Sequence, residues 1–407
     1  MKPFPARAEA FTSRSHNRRS FGRRASAGLA AVILLAACSG SNGDSADRSS
    51  DATEAPTAEP PAPTSSTAPD PDDPLFADVR ARVGELVEEN ELNGAGFIIF
   101  DRDDGIVFED YWGEFDADRV SLLASGSKMI SAGVLSRLAD EGLLDLDEPI
   151  VDYIDWATDN PEITAAQLLS HSSGLVGLLP DLTYPPYICQ FVGSDMGECA
   201  EEIFNSSDDE ADVVPPDTEF RYGGGQWQVA GAIAETVSGR SWDQLIQETY
   251  VEPCGVDSLE YNNHWVQAQG LDYPQDLDPT TLEPTDNPHM EGGAFITAPD
   301  YVTLLLMHLR GGECPDGPVM SPEAIEKAHT DRLGSINGDT STGYGIGWWI
   351  DHETGRVYNN GAYGAVAWLD KTEGYGAYLI IESASNVGQA IAAELYDPVE
   401  EAALARR

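Results

Sequence analysis

The sequence predicts an α+β domain in which helices flank one antiparallel sheet built from both chain ends, with a mainly helical subdomain inserted between them. Three observations predict it: a helix and a hairpin come first, capped helical segments fill the middle, and short strands with a final helix come last. This domain spans residues 75–407. Neither residues 1–38 nor residues 39–74 have the pattern of a packed core. We predict that the first segment is a signal peptide and that the second is a tether.

The domain begins with an amphipathic helix followed by a hairpin. Apolar side chains recur at helical spacing from Leu75 to Val87, which places one apolar stripe on a helix. The hairpin strands are Gly96–Phe100 and Ile106–Tyr111. The polar turn Asp101–Gly105 lacks the ligand spacing of a calcium loop, so we interpret it as a hairpin turn.

The middle of the chain is helical and the end returns to strands. Thr164, Ser241 and Ser321 each precede a helical pattern, as N-cap residues do. The closing strands are short aromatic or β-branched runs divided by turns, as in an antiparallel meander: Gly345–Ile350, Val357–Asn359, Ala365–Leu369 and Tyr375–Glu382. A final helix begins near Val387.

The first residues predict export and a lipid anchor. Basic residues up to Arg24 precede the apolar run Ala25–Ala37, which is too short to span a bilayer. The run ends in Leu-Ala-Ala-Cys, so we interpret Cys38 as lipidated and the protein as held on the extracytoplasmic face of the cell membrane. An ordinary secretory signal is the alternative. Arg18-Arg19-Ser20-Phe21 fits either a twin-arginine signal or a plain basic segment.

Composition narrows the classes of partner. The chain has 23 basic and 70 acidic residues and a formal charge of −47, which excludes nucleic-acid binding. Residues 39–74 are rich in Ser, Thr, Pro and Asp and predict a solvated tether. Beyond the anchor the lysines are Lys128, Lys327 and Lys371. We expect a monomer that acts on a small-molecule or peptide substrate.

Four cysteines follow the anchor, and export to an oxidising compartment favours disulfides. Three pairings are possible. We favour Cys189 with Cys199, which closes a short insertion, and Cys254 with Cys314, which joins two turns beside helices. Free, buried thiols are the alternative.

A serine and a lysine carry the predicted chemistry. Gly-x-Ser-x-Gly and His-Glu-x-x-His motifs are absent from the chain, which disfavours a hydrolase elbow or a zinc site. Ser125-Gly126-Ser127-Lys128 opens a helical pattern, and positions i and i+3 share one helical face. A lysine can take a serine proton when burial and neighbouring cations lower its pKa. The sequence therefore predicts Ser125 as nucleophile and Lys128 as base, with no metal or other cofactor.

Several segments in order resemble the beta-lactamase and penicillin-binding-protein superfamily, especially its class C and esterase-like branch. They are LLASGSKMISAGVLSRLADEGLLDLDEPIVDYI around Ser125, ITAAQLLSHSSGL at Ile163–Leu175, FRYGGGQWQVAG around Tyr222 and VYNNGAYGAVAW around Asn359. The resemblance covers about residues 75–400. It implies a beta-lactamase-like fold and a serine acyl-enzyme.

The resemblance also implies further site residues. Tyr222 matches the tyrosine of a Tyr-x-Asn element and would relay protons, but Gly224 stands where the family often has Asn. Asn359 replaces the Lys or His of the Lys/His-x-Gly element, in which Gly361 would let substrate approach the strand. The N–H groups of Ala362 and Ser125 would form the oxyanion hole.

Other candidates have more ordinary interpretations. Lys371-Thr372 lacks the following glycine and predicts a turn. His171 is interpreted as a structural hydrogen-bonding residue rather than a base. Aromatic residues on the closing strands are usually core, although they could line an acyl pocket: Trp348, Trp349, Tyr363 and Trp368.

The sequence thus predicts a serine hydrolase acting on an ester or amide, of carboxylesterase or D-peptidase type. Loss of the cation at Asn359 favours substrates without an adjacent carboxylate and disfavours cell-wall carboxypeptidase activity. The alternative is a catalytically weak or inactive lipoprotein that binds or senses cell-wall fragments, suggested by the replacements at Gly224 and Asn359.

Overall fold

The computed structural model describes residues 73–178, 184–192, 194–266, 273–274 and 277–407. The predicted signal segment, Cys38 and the tether up to residue 72 lie outside these residues, so export and anchoring stay predictions. Among the described residues, no helix combines the length and the apolar character needed to cross a bilayer.

The described helices, in chain order, are α1 Ala77–Glu89, α2 Ser127–Asp140, α3 Ala165–Leu169, α4 Met196–Asn205, α5 Gly225–Ser238, α6 Trp242–Ile246, α7 Glu252–Cys254, α8 Ala298–Leu309, α9 Pro322–Ala328 and α10 Ser385–Ala405. The described strands are β1 Gly94–Asp101, β2 Gly105–Gly113, β3 Val120–Leu122, β4 Glu260–Tyr261, β5 Ala294–Thr297, β6 Glu313–Cys314, β7 Gly317–Pro318, β8 Thr342–Tyr344, β9 Trp349–Asp351, β10 Val357–Asn360, β11 Val366–Asp370 and β12 Tyr375–Ile380. Short 3₁₀ turns connect several of them, including Ala124–Gly126 before α2.

The main sheet joins both ends of the domain. Its strand order within the described residues is β2-β1-β12-β11-β10-β9-β8, with every neighbouring pair antiparallel. The first hairpin meets the closing meander where Gly96 faces Ile380 and Asp101 faces Tyr375. The segment from β3 up to β8 contains α2 to α9 and a small sheet ordered β3-β5-β4. The predicted α+β arrangement with an inserted helical subdomain is confirmed.

The central strands are covered on both faces. Successive side chains of a strand point to opposite faces, and Phe97 and Ile99 pack in the cluster that includes α1 and α10. Ile98 and Phe100 pack in the cluster that includes α2 and α8. All four are fully buried, which explains the continuous apolar run of β1. The second cluster extends into the helical subdomain and joins it to the sheet.

Helix caps follow the prediction. Thr164 and Ser241 each accept a bond from the backbone N–H three residues on, and a glutamine at that position completes a capping box. Ser321 caps α9 in the same way, with a proline at the first helical position.

The predicted strand Gly345–Ile350 is wrong in extent. The structure has two strands here, β8 ending at Tyr344 and β9 starting at Trp349. Gly347 between them has φ of +76°, and a Cβ there would lie 2.9 Å from the carbonyl oxygen of Lys128. This left-handed turn presses against α2, so the chain must leave the extended conformation.

Both favoured disulfides are present. Cys189 is bonded to Cys199 and Cys254 to Cys314. The first ties the 3₁₀ segment Pro185–Phe191 to α4, and the second ties α7 to β6.

Candidate active site

Ser125 lies in the 3₁₀ turn Ala124–Gly126 that leads into α2, two residues ahead of the position at which the α-helix begins. The residue before it, Ala124, has φ of +46°, a left-handed conformation that is uncommon for a residue with a Cβ. Strain of this kind often marks functional positions. Ser125 is partly exposed, whereas its neighbour Ser127 is fully buried.

Lys128 reaches back to Ser125 from the first turn of α2. Its Nζ lies 3.1 Å from Ser125 Oγ, and its side chain is 1% exposed. Nζ also lies 3.3 Å from the backbone oxygen of Glu291 and 2.8 Å from the Glu291 carboxylate oxygen Oε2. The predicted serine–lysine pair is therefore assembled, together with an acidic partner that the sequence did not predict.

The expected lowering of the Lys128 pKa is wrong. Burial does lower this pKa, but the negative charge of Glu291 and the nearby Tyr222 phenol outweigh burial and raise the pKa above its usual value. Among the described residues, no lysine or arginine is one of the main causes of the Lys128 shift. Lys128 is therefore an ammonium in the resting site and can accept a proton only when it passes one on.

Glu291 is held in place by hydrogen bonds on both sides of it. Ser131 Oγ on α2 donates to the Met290 carbonyl at 2.7 Å, and Ser127 Oγ accepts from the Ala294 N–H at 3.0 Å. Gln228 Oε1 on α5 accepts from the Met290 N–H at 2.7 Å. The segment before β5 is thus fixed against α2 and α5. In a chain with 70 acidic residues, no local pattern distinguished Glu291.

Tyr222 lies on the other side of the lysine. Lys128 Nζ is 4.5 Å from the centre of its ring. The ring is stacked on Trp349 at 5.8 Å and lies 4.3 Å from the ring of His171. These contacts keep Tyr222 beside Lys128, where the resemblance predicted it.

His171 supports this arrangement from the core. Its Nδ1 accepts the Gly223 N–H at 3.2 Å and lies 2.8 Å from Gln226 Nε2. Burial and the charge of Lys128 lower the pKa of His171 well below its usual value, so the ring is neutral. These contacts agree with the structural interpretation of His171.

The end of strand β10 lies beside the turn that carries Ser125. A Cβ on Gly361 would lie 2.3 Å from the Leu123 carbonyl oxygen, so this glycine allows the end of β10 to approach the turn that carries Ser125. Ala362 follows it and is partly exposed. Asn359 is 3% exposed, and its Nδ2 has no partner among the described residues.

The aromatic residues of the closing strands have different surroundings. Trp348 is fully buried between His308 and His329, and Trp368 packs on Phe97 and Tyr396 in the core. The interpretation as core is right for both.

The other two aromatic residues lie nearer to the site. Tyr363 is fully buried beside Trp265, two residues beyond Gly361. Trp349 is partly exposed, and its ring stacks on that of Tyr222. Among the described residues, no group of three or more His, Cys, Asp or Glu side chains could hold a metal ion.

A serine with a buried lysine three residues on, lying between an antiparallel sheet and an inserted helical subdomain, defines a class of serine hydrolase. A family model described as Beta-lactamase matches residues 79–401, and the chain belongs to this family. The resemblance inferred from the sequence is confirmed.

Relatives in this family differ in the activities that their names describe. The chain is 25% identical over 347 residues to penicillin-binding protein 4 of Amycolatopsis lactamdurans, covering 77% of this chain and 87% of that protein. It is 23% identical to lovastatin esterase of Penicillium rubens, covering 61% and 71%. A penicillin-binding protein homologue from Caulobacter crescentus superposes with a TM-score of 0.65 at 21% identity, covering 83% and 99%, which shows the common fold.

Proposed function

We propose that this protein is an acyl-transfer hydrolase that forms an acyl-enzyme on Ser125. The observation that carries the proposal is the 3.1 Å contact between Lys128 Nζ and Ser125 Oγ. Ser125 Oγ attacks the carbonyl carbon of the substrate. Its proton passes to the side chains of Lys128 and Tyr222, which relay it between them. That proton then passes to the leaving alcohol or amine, and water releases the acyl group. The N–H groups of Ser125 and Ala362 stabilise the oxyanion.

We propose neutral esters as the preferred substrates. A substrate carboxylate near β10 would meet the uncharged Asn359, and Glu291 already balances the charge of Lys128. An extra anion would therefore lack a cationic partner in the described site. A relative named lovastatin esterase is consistent with ester chemistry in this family, and a relative named penicillin-binding protein 4 keeps D-amino-acid peptides among the substrates to be tested.

The test is labelling with a fluorescent serine-reactive phosphonate, followed by assays on a panel of substrates. Wild type should be labelled at Ser125, and Ser125→Ala should not. The panel contains short-chain aryl esters, D-amino-acid peptides and penicillins. Esters should be hydrolysed fastest and penicillins slowest. Ester hydrolysis that survives in Ser125→Ala would show that the nucleophile is wrongly assigned.

A second candidate is a sensor that binds cell-wall fragments and turns them over poorly. Two departures from the family pattern favour it, Gly224 and Asn359, because both remove groups that would hold a substrate. Labelling and ester assays on the wild-type protein, together with a muropeptide binding assay, decide between the two functions. Saturable binding of muropeptides by a protein that is neither labelled nor active on any ester supports the sensor.

A further inference from the structure

The space beside Gly224 is occupied by a carboxylate. A Cβ built on Gly224 would lie 2.3 Å from Glu291 Oε1 and 2.2 Å from Gln190 Oε1, closer than any Cβ packs. A side chain at position 224, including the asparagine that the resemblance leads one to expect, is therefore incompatible with Glu291 in its present place. Gly224 thus leaves the room that the Glu291 carboxylate occupies beside Lys128.

The two carboxylate oxygens of Glu291 have different neighbours. Oε2 lies 2.8 Å from Lys128 Nζ, and Oε1 lies 3.8 Å from His289 Nε2. His289 Nδ1 accepts the Trp265 indole N–H at 3.2 Å, which leaves the ring proton on Nε2, facing the carboxylate. Burial and the charge of Lys128 lower the pKa of His289 to about 3, so the ring is neutral. Glu291 is 7% exposed, and Lys128 is its cationic partner.

The other titratable groups around this pair do not replace Glu291. Tyr222 and His171 face Lys128 from the segments before α5 and after α3. Tyr344 on β8 also feels the charge of Glu291, but burial, the largest cause, raises its pKa well above the usual value and keeps it protonated. Among these groups, Glu291 is the one in direct ionic contact with Nζ.

We propose that Glu291 is a positioning residue that acts through Lys128 and takes the place of the amide lost at Gly224. As Nζ receives the hydroxyl proton of Ser125, it passes one of its own protons to Glu291 Oε2. The Oγ–H bond breaks while Oγ bonds to the acyl carbon. On collapse, the bond to the leaving alkoxide breaks, and the proton returns from Glu291 through Nζ to that oxygen. The inference rests on the proposed function of Ser125.

The experiment measures the rate at which a fluorophosphonate labels Ser125 as a function of pH, which needs no known substrate. The Oγ–P bond forms, fluoride leaves, and the Ser125 proton goes to the same acceptor. Wild type reacts with Lys128 as an ammonium, because Glu291 takes the proton that Nζ passes on. In Glu291→Gln only the neutral amine can accept the Ser125 proton, so Lys128 must first lose a proton to solvent. Loss of the carboxylate lowers the Lys128 pKa, but wild type has no such requirement, so the acid limb of the labelling profile should move upward by about one pH unit or more.

The matched control is Glu382→Gln, which removes another buried acid, one that pairs with Arg119 at 2.7 Å. Its acid limb should stay where the wild-type limb lies. If Glu291 had only a packing role, its replacement would lower the rate equally at all pH values, and that result would overturn the proposal. Wild type that is never labelled at Ser125 would instead refute the proposed function.

Gly224→Ala gives an independent test should Glu291→Gln fold poorly. Its methyl group must displace the Glu291 carboxylate, so the acid limb should move in the same direction as in Glu291→Gln. Displacing the uncharged Gln190 amide has no such effect. Combined with Glu291→Gln, Gly224→Ala should cause no further movement. The proposal would be contradicted if the acid limb of the labelling profile did not move in Gly224→Ala. It would also be contradicted if the limb moved further in the double variant than in Glu291→Gln.

Discussion

Lys128 Nζ lies 3.1 Å from Ser125 Oγ at the start of α2, and the same nitrogen forms a buried ion pair with Glu291. The nucleophile is therefore next to an ammonium whose proton has a second acceptor. Activity, stability and specificity therefore depend on a few side chains of this site, and each side chain can be tested by its own substitution.

Lys128→Ala should lose nearly all ester hydrolysis and about 3–5 kcal/mol of unfolding free energy, because Glu291 remains buried without its partner. The double variant Lys128→Ala/Glu291→Gln should recover stability but not activity. Steady-state kinetics and denaturant unfolding measure the two effects. Lys327→Ala is the matched control, since Lys327 is an exposed lysine paired with Glu323 and its loss should leave both quantities nearly unchanged. Full activity in Lys128→Ala would refute its role.

Tyr222→Phe should lower kcat by about 10²–10⁴-fold, the range for a positioned proton-transfer group. The ring and its stacking on Trp349 are kept, so the melting temperature should change little. Tyr344→Phe is the control, a fully buried tyrosine whose ring lies 6.3 Å from that of Tyr222. Equal kcat values for Tyr222→Phe and wild type would remove Tyr222 from the proton path.

Asn359→His should raise the preference for carboxylate-bearing esters over their neutral analogues. Burial lowers the pKa of an imidazole, but the negative charge of a bound carboxylate raises it, so at about pH 6 the ring can take a proton as the substrate binds and donate a charge-assisted hydrogen bond. The ratio of kcat/KM values should rise by about tenfold, as expected from one such bond. Asn360→His places the same group on the opposite face of β10 and should leave the ratio unchanged. If both variants behave alike, Asn359 does not contact the substrate.

Replacing Cys254 and Cys314 together by alanine should cost more stability than replacing Cys189 and Cys199. The first bond joins residues separated by 60 positions and the second by 10, and closing a longer loop removes more entropy from the unfolded chain. The expected difference is about 1.5 kcal/mol in unfolding free energy. Chemical denaturation of both double variants measures it, and the reverse order would show that native-state effects dominate.

We also propose that Cys38, outside the described residues, carries the lipid anchor. Cys38→Ser should move the protein from the membrane fraction to the medium or the soluble envelope fraction. Mass spectrometry of the N-terminal peptide identifies the lipid in wild type. Intact disulfides in the released variant serve as the control for export. Cys38→Ser protein that stays as firmly membrane-bound as wild type would contradict the proposal.

Local signals in the sequence were sufficient for most strands of the main sheet, for the helix caps and for the serine–lysine pair. Period-two and helical patterns predicted the first hairpin and the meander, and the capping residues marked their helices at Thr164, Ser241 and Ser321. Ser125 and Lys128 were predictable because a spacing of three residues places two side chains next to each other, here across the 3₁₀ turn Ala124–Gly126 and the first turn of α2.

Tertiary structure alone decided the surroundings of that pair. Glu291 is 163 positions from Lys128, and only the packing of the segment before β5 on α2 and α5 brings them together. The direction of the Lys128 pKa shift depends on that contact, so the sequence predicted it with the wrong sign. Likewise, Gly347 interrupts a β-like run because α2 lies against it. Local spacing determines which residues can meet along one element, whereas charge balance in a buried site depends on every element packed around it.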